Sequence, residues 1–171
     1  MTNHRFAEPA DLPAIVRIYN STIASRQVTA DLTEISVESR QQWFLDHTPQ
    51  RRPLWVIEAD LQDGTSGPQI IGWMSFSDFK SRAAYDATVE VSVYLDPAAR
   101  GSGWGSYCLN LAESYSKQIG VNTLLGYIFG HNTPSLRLFE KFNYQQWAFM
   151  PKIAILDGVE RDLIIVGKRL A

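Results

Sequence analysis

One carboxylate, Glu90, lies in the alternating stretch Thr88-Val-Glu-Val-Ser-Val-Tyr-Leu95, and the glycine-rich run Arg100-Gly-Ser-Gly-Trp-Gly-Ser106 follows it closely. The two patterns suit two different kinds of chemistry. A carboxylate can take a proton from an amine, which must lose one before it attacks an electrophile. A loop lacking Cβ atoms at Gly101, Gly103 and Gly105 lets the backbone approach a ligand. If it opens a helix, the free N–H groups of the first turn then point at an anion. Glycines at a helix start also occur for turn geometry alone. Strand alternation puts Val89, Val91, Val93 and Leu95 on one face and Thr88, Glu90, Ser92 and Tyr94 on the other. Spacing by itself leaves Glu90 equally readable as a base or as a solvated side chain on an open face.

The elements that must position these groups are legible around them. Asp96-Pro97 stops the strand, and the helix after the glycine loop runs to about Gln118 and ends at Gly120, suited to a left-handed C-cap. Upstream, Asp11 before Leu12-Pro13 reads as the N-cap of an amphipathic helix with Ile15, Val16, Ile18, Tyr19, Thr22 and Ile23 at helical spacing. A second helix is expected from Val37 to about His47. Leu54–Glu58 and Ile70–Phe76 read as a hairpin around the turn-rich Asp63–Pro68. Thr123–Phe129 reads as the next strand, and Pro134 or Ser135 starts a short helix. Lys152–Leu156 and Glu160–Val166 flank the hairpin signal Asp157-Gly158. No repeat, low-complexity tract or linker interrupts the chain.

Composition sets the frame. The chain has 171 residues and 45% hydrophobic content, which fits one compact domain spanning 1–171. A net charge of -2 offers no basic field for nucleic acid or an anionic membrane. No apolar run approaches the roughly 20 residues that cross a bilayer, and the polar start has no signal-like core, so a cytoplasmic location is expected. His4, His47 and His131 lack ligand spacing, so no metal site is expected. Cys108, the only cysteine, shares an apolar face with Trp104, Leu111, Ala112 and Tyr115 and reads as a small core residue. Trp43, Trp55, Trp73 and Trp147 read as core or a dimer contact. The order of strands and helices is not the strict alternation of a doubly wound sheet. A dinucleotide site is disfavoured further because Ser106 stands where its fingerprint wants glycine, and no acidic residue occurs between Ser114 and Leu138.

The pattern Val93-x-Leu95-x-Pro97-x-x-Arg100-Gly101-x-Gly103-x-Gly105 resembles the acetyl-CoA loop of the GNAT superfamily of N-acetyltransferases. Arg100, Gly103 and Gly105 fill its signature places. Ile18-Tyr19-Asn20, Tyr85-Asp86-x-Thr88-Val89-Glu90-x-Ser92-Val93-Tyr94 and Asn132-x-Pro134-Ser135-x-Arg137-Leu138 resemble the branch that acetylates phosphinothricin, methionine sulfoximine and methionine sulfone. The resemblance implies an α/β fold of the α+β type. Its sheet is mixed but mainly antiparallel and flanked by helices, with Thr88–Leu95 and Thr123–Phe129 parallel and splayed to admit pantetheine.

By the same resemblance Val93, Tyr94 and Leu95 pair with pantetheine through their backbone. Arg100, Gly101, Ser102, Gly103, Trp104, Gly105 and Ser106 wrap the pyrophosphate, and Asn132 and Ser135 also meet acetyl-CoA. Glu90 becomes the general base, directly or through a water, and the N–H of Tyr94 or Leu95 meets the oxyanion. Arg82, Ala83, Ala84 and Tyr85 are candidates for the acceptor, although loop cations are more often simply solvated. A homodimer is implied. Phe139 stands where the family has Tyr or His as an acid for the departing thiolate, so either Tyr107 or Tyr127 substitutes or the thiolate leaves unprotonated. Asn143 replaces a glycine after the same helix. The acceptor is expected to be a small-molecule amine. The alternatives are a protein N-terminus as acceptor, or a non-catalytic acyl-CoA-binding module.

Overall fold

A computed structural model of the chain describes residues 3–60 and 67–171. Strands β1 (His4–Phe6), β2 (Leu54–Ala59), β3 (Gln69–Asp78), β4 (Thr88–Leu95), β5 (Thr123–Phe129), β6 (Gln145–Leu156) and β7 (Val159–Arg169) form one sheet ordered β1-β2-β3-β4-β5-β7-β6. Every neighbouring pair is antiparallel except β4–β5, which is parallel. This is the mixed, mainly antiparallel α/β sheet that the family resemblance implied. Helices α1 (Leu12–Ile23), α2 (Gln41–Leu45), α3 (Trp104–Ser116) and α4 (Thr133–Lys141) flank it.

Alternation along the strands divides the core in two. Leu54, Val56 and Trp73 pack with Ile15, Ile18, Tyr19 and Ile23 of α1 on one face. On the other, Trp55, Ile57, Met74, Phe76, Val89 and Val91 pack with Cys108, Leu109 and Ala112 of α3. Burial pushes the Cys108 thiol up to about 12, so at neutral pH it is an inert packing group. Glu90, Ser92 and Tyr94 share the α1 face by the same alternation, and there the apolar layer gives way to polar groups.

Several boundaries moved for local reasons. Asp11 does not cap α1. A 3-10 turn, Pro9–Asp11, precedes the helix, and buried Asp11 accepts from the backbone N–H of Glu8 at 2.7 Å and from both terminal nitrogens of Arg5 at 2.7 and 2.9 Å. The second helix is a 3-10 turn, Glu38–Arg40, followed by one short α-turn. β6 begins at Gln145 rather than Lys152; Pro151 and left-handed Lys152 interrupt its register instead of starting it. Asn143 adopts φ 62°, the left-handed geometry its replacement of glycine requires. The turn expected at Asp63–Pro68 lies, apart from Gly67 and Pro68, outside the described residues.

Candidate active site

The parallel pairing of β4 and β5 ends at Glu90↔Leu125. Beyond that point the strands part, and a cavity of about 780 Å³ opens along the gap and across the start of α3. Two hydrogen bonds set the phase of β4. Ala87 accepts from Thr123 N–H on the β5 side, and Asp96 N–H donates to Ile71 on the β3 side. Backbone groups alternate along a strand, so those of Val91, Val93 and Leu95 face the gap and those of Tyr94 face β3. Of the two N–H groups considered for an oxyanion, Leu95's is the one aimed into the cleft.

The glycine loop fits a phosphate-bearing ligand. Gly101 and Gly103 have φ 76° and 87° with nothing within 4 Å of where a Cβ would be. Gly103 precedes α3, whose first-turn amides are free of intrahelical partners. Gly105 serves packing as well. A Cβ there would come 2.7 Å from Cδ2 of Leu138, so its absence lets α3 approach α4. Val93, Tyr94, Leu95, Arg100, Gly101, Gly103, Gly105, Ser106, Asn132 and Ser135 all line the cavity, whereas Ser102 and Trp104 do not. The Trp104 ring instead meets Tyr107 edge-on.

Glu90 lines the same cavity and faces Ser77 across the β3–β4 ladder. Burial raises its pKa, because the charged carboxylate is desolvated. Tyr127, on the opposite wall, is raised by its own burial and by the charge of Glu90. Tyr107 is not in the site: its hydroxyl lies 2.5 Å from His4 Nδ1 and accepts from Asn3 N–H. Tyr127 is therefore the phenol left to stand in for a family acid. Phe139 lines the cavity and is buried against Gly126.

Arg82, Ala83, Ala84 and Tyr85 are exposed on the turn between β3 and β4 and do not line this cavity. That turn is tied down by buried Arg52, which reaches Asp78 at 2.5 Å and the Asp86 carbonyl at 3.1 Å.

Two parts of the site had no signal in the sequence. The segment Gln27–Ala30 after α1 roofs the cavity. It is clamped to the loop after β5, where His131 Nε2 lies 2.7 Å from the Arg26 carbonyl and Asn132 Nδ2 donates to the Gln27 carbonyl at 3.2 Å. Asn132 also caps α4 by accepting from Ser135 N–H. The second is a smaller chamber of about 160 Å³ bounded by Tyr19, Arg40, Trp43, Trp73, Ser75, Ser77, Ser92 and Tyr94.

A mainly antiparallel sheet that splays at one parallel pair, beside a glycine loop opening a helix, defines an acyl-CoA-dependent acyltransferase. Residues 15–144 match the Acetyltransferase (GNAT) family, and the chain belongs to it. It is similar to YwnH of Bacillus subtilis, provisionally named a phosphinothricin acetyltransferase, at 47% identity over 98% of both chains. It is also similar to the L-methionine sulfoximine/L-methionine sulfone acetyltransferase of Salmonella typhimurium, at 28% identity over 97% of this chain and 93% of that one. Among solved structures, a phosphinothricin acetyltransferase of Sinorhizobium meliloti in complex with acetyl-CoA superposes with TM-score 0.88 at 27% identity, covering all of this chain and 90% of the other. The protein is thus an acetyl-CoA-dependent N-acetyltransferase, and the reading as a non-catalytic binding module is set aside.

Proposed function

We propose that the enzyme, a single domain over 1–171, acetylates the α-amine of a small amino-acid-like acceptor of the phosphinothricin, methionine sulfoximine or methionine sulfone type, with Glu90 as general base. The observation that carries this reading is a half-buried carboxylate of raised pKa at the point where β4 and β5 part. A base held nearer to neutrality than an ordinary carboxylate is better matched to an ammonium group that must be deprotonated. The freed nitrogen attacks the thioester carbonyl. The new C–N bond gives a tetrahedral adduct that collapses with loss of the C–S bond; of the two protons nitrogen sheds, one goes to Glu90, directly or through a water, and the other to the departing thiolate or to solvent.

The amide of Leu95 supports the developing oxyanion, and Val93 and Leu95 offer the remaining free backbone groups to pantetheine. Gly101 to Ser106, with the first-turn amides of α3 and the guanidinium of Arg100, cradle the pyrophosphate; Asn132 and Ser135 complete that wall. Ser102 and Trp104 take part through their backbone. No acid has to replace the missing Tyr or His, because a thiolate is a good leaving group; Tyr127, which feels the charge of Glu90, lines the same cavity. Arg82 and Tyr85, with the backbone of Ala83 and Ala84, meet the acceptor as it enters past the β3–β4 turn.

The enzyme works in the cytoplasm as a homodimer. The exposed apolar side chains of edge strand β6, Phe149, Ile153 and Ile155 among them, support the second point, since solvent-facing apolar clusters commonly mark interfaces. Thiol release from acetyl-CoA, followed with methionine sulfoximine, phosphinothricin and a short peptide in turn, tests the acceptor class. Turnover is expected with the amino-acid-like amines. Turnover with the peptide alone would overturn the reading in favour of a protein N-terminus.

A further inference from the structure

The chamber on the α1 face is built around a cation. Arg40 lies with its guanidinium carbon 5.1 Å from the Tyr19 ring centroid and 5.6 Å from that of Trp43. It forms a loose ion pair with Asp31 at 3.7 Å, longer than a hydrogen bond, and that carboxylate already accepts from the Tyr19 hydroxyl. Among the described residues no acceptor takes a hydrogen bond from the Arg40 side chain. A guanidinium has five N–H donors in a planar fork, and here they border a cavity of about 160 Å³.

The chamber adjoins the site of chemistry. Along the ladder Trp73, Ser75 and Ser77 of β3 face Tyr94, Ser92 and Glu90 of β4. Ser92 and Tyr94 line both cavities, and Ser77, at the end of the chamber floor, is the cross-strand partner of Glu90. Residues two apart on a strand are separated by about 6.6 Å, so Ser92 stands one small-molecule length from Glu90. The walls are aromatic, with Trp73 stacked on Tyr94 at 4.4 Å between centroids, and the floor carries serine hydroxyls.

From this juxtaposition we infer that Arg40 binds an oxyanion of the acceptor, its carboxylate or a side-chain phosphinate, and so selects acceptors that carry one near the amine. The inference rests on the acceptor class proposed above. It makes the chamber the anchoring subsite and leaves the exposed Arg82 turn, on the far side of Glu90 along the strand, for the other end of the molecule.

The test compares wild type with Arg40→Gln and Arg40→Lys on three amines: methionine sulfone, which carries only a carboxylate; its carboxamide, which carries no anion; and phosphinothricin, which carries both. Arg40→Gln is expected to raise KM for methionine sulfone roughly 10- to 100-fold, the range of a lost charge-assisted hydrogen bond. KM for acetyl-CoA and the melting temperature should hold, and the carboxamide, already poor with wild type, should lose nothing further. Arg40→Lys should recover part of the loss, keeping the charge without the fork. A penalty on phosphinothricin alone assigns the oxyanion to the phosphinate; a penalty on both acids assigns it to the carboxylate. Equal losses on acids and carboxamide, or no loss on either acid, overturn the inference while wild-type turnover leaves the acceptor class standing. Absence of wild-type turnover with every amine overturns both.

Discussion

Gly126 on β5 and Phe139 on α4 are in such close contact that a Cβ at Gly126 would sit 2.8 Å from Cε1 of Phe139. The glycine is the recess that admits the ring, which is 4% exposed and meets Tyr144 edge-on at 4.9 Å. An aromatic ring with no polar handle fits this place, and a phenol or imidazole there would have to find a partner within the same recess.

Gly126→Ala should therefore destabilise the fold by about 1–3 kcal/mol, the usual cost of overpacking a filled core. Val166 closes the other side, 3.0 Å from the same point, so the ring has little room to yield. Thermal denaturation of the variant measures it. An unchanged melting temperature would show that Phe139 moves freely.

Gly103→Ala probes the cofactor loop. Nothing crowds the position, but its φ of 87° costs an L-residue about 1–2 kcal/mol, and relief of that strain would turn the first amides of α3 away from the diphosphate. KM for acetyl-CoA should rise severalfold with kcat nearly constant. A change in kcat alone would place the loop in the chemical step instead.

Glu90→Gln removes the base. The expected result is a fall in kcat of about 10²–10⁴ with KM for acetyl-CoA little altered. In the wild type, kcat/KM should decline on the acid side with a midpoint above the ordinary carboxylate range, since burial raises the Glu90 pKa. Stability carries the opposite sign. A group whose folded pKa is raised contributes stability below its unfolded pKa and loses it as pH rises through the folded value. At neutral pH ionised Glu90 is then a cost, so the glutamine variant should melt higher than wild type while turning over more slowly. A variant that is both less stable and fully active would remove Glu90 from the role.

Charge on β6 tests the dimer. Phe149 is 53% and Ile155 64% exposed, and Phe149→Glu with Ile155→Lys should convert a dimer to a monomer in sedimentation without lowering the melting temperature of the isolated chain much. A wild type that sediments as a monomer disposes of the proposal directly.

Much of the fold was readable because its signals are local. The bounds of β4 emerged from alternation, those of β5 were also read correctly, Gly120 closed the 3-10 turn that follows α3 as a left-handed cap at φ 71°, and Asp157-Gly158 formed the terminal hairpin turn. Where the reading slipped, a tertiary partner had taken over. Asp11 looked like a cap and is instead held by Arg5. Tyr107 looked available as an acid and is bound to His4.

By itself the chain determined which face Glu90 shares, where backbone lacks side chains, and that a helix begins beside it, since period and missing Cβ atoms act over a few residues. Only the folded structure decided that β4 leaves β5 just past Glu90, that Gln27 is clamped by Asn132, and that Arg40 stands over two aromatic rings within reach of the same strand. Those facts join residues up to 105 positions apart. Such pairs leave no period in the sequence, because their meeting depends on how whole elements pack and not on what their neighbours are.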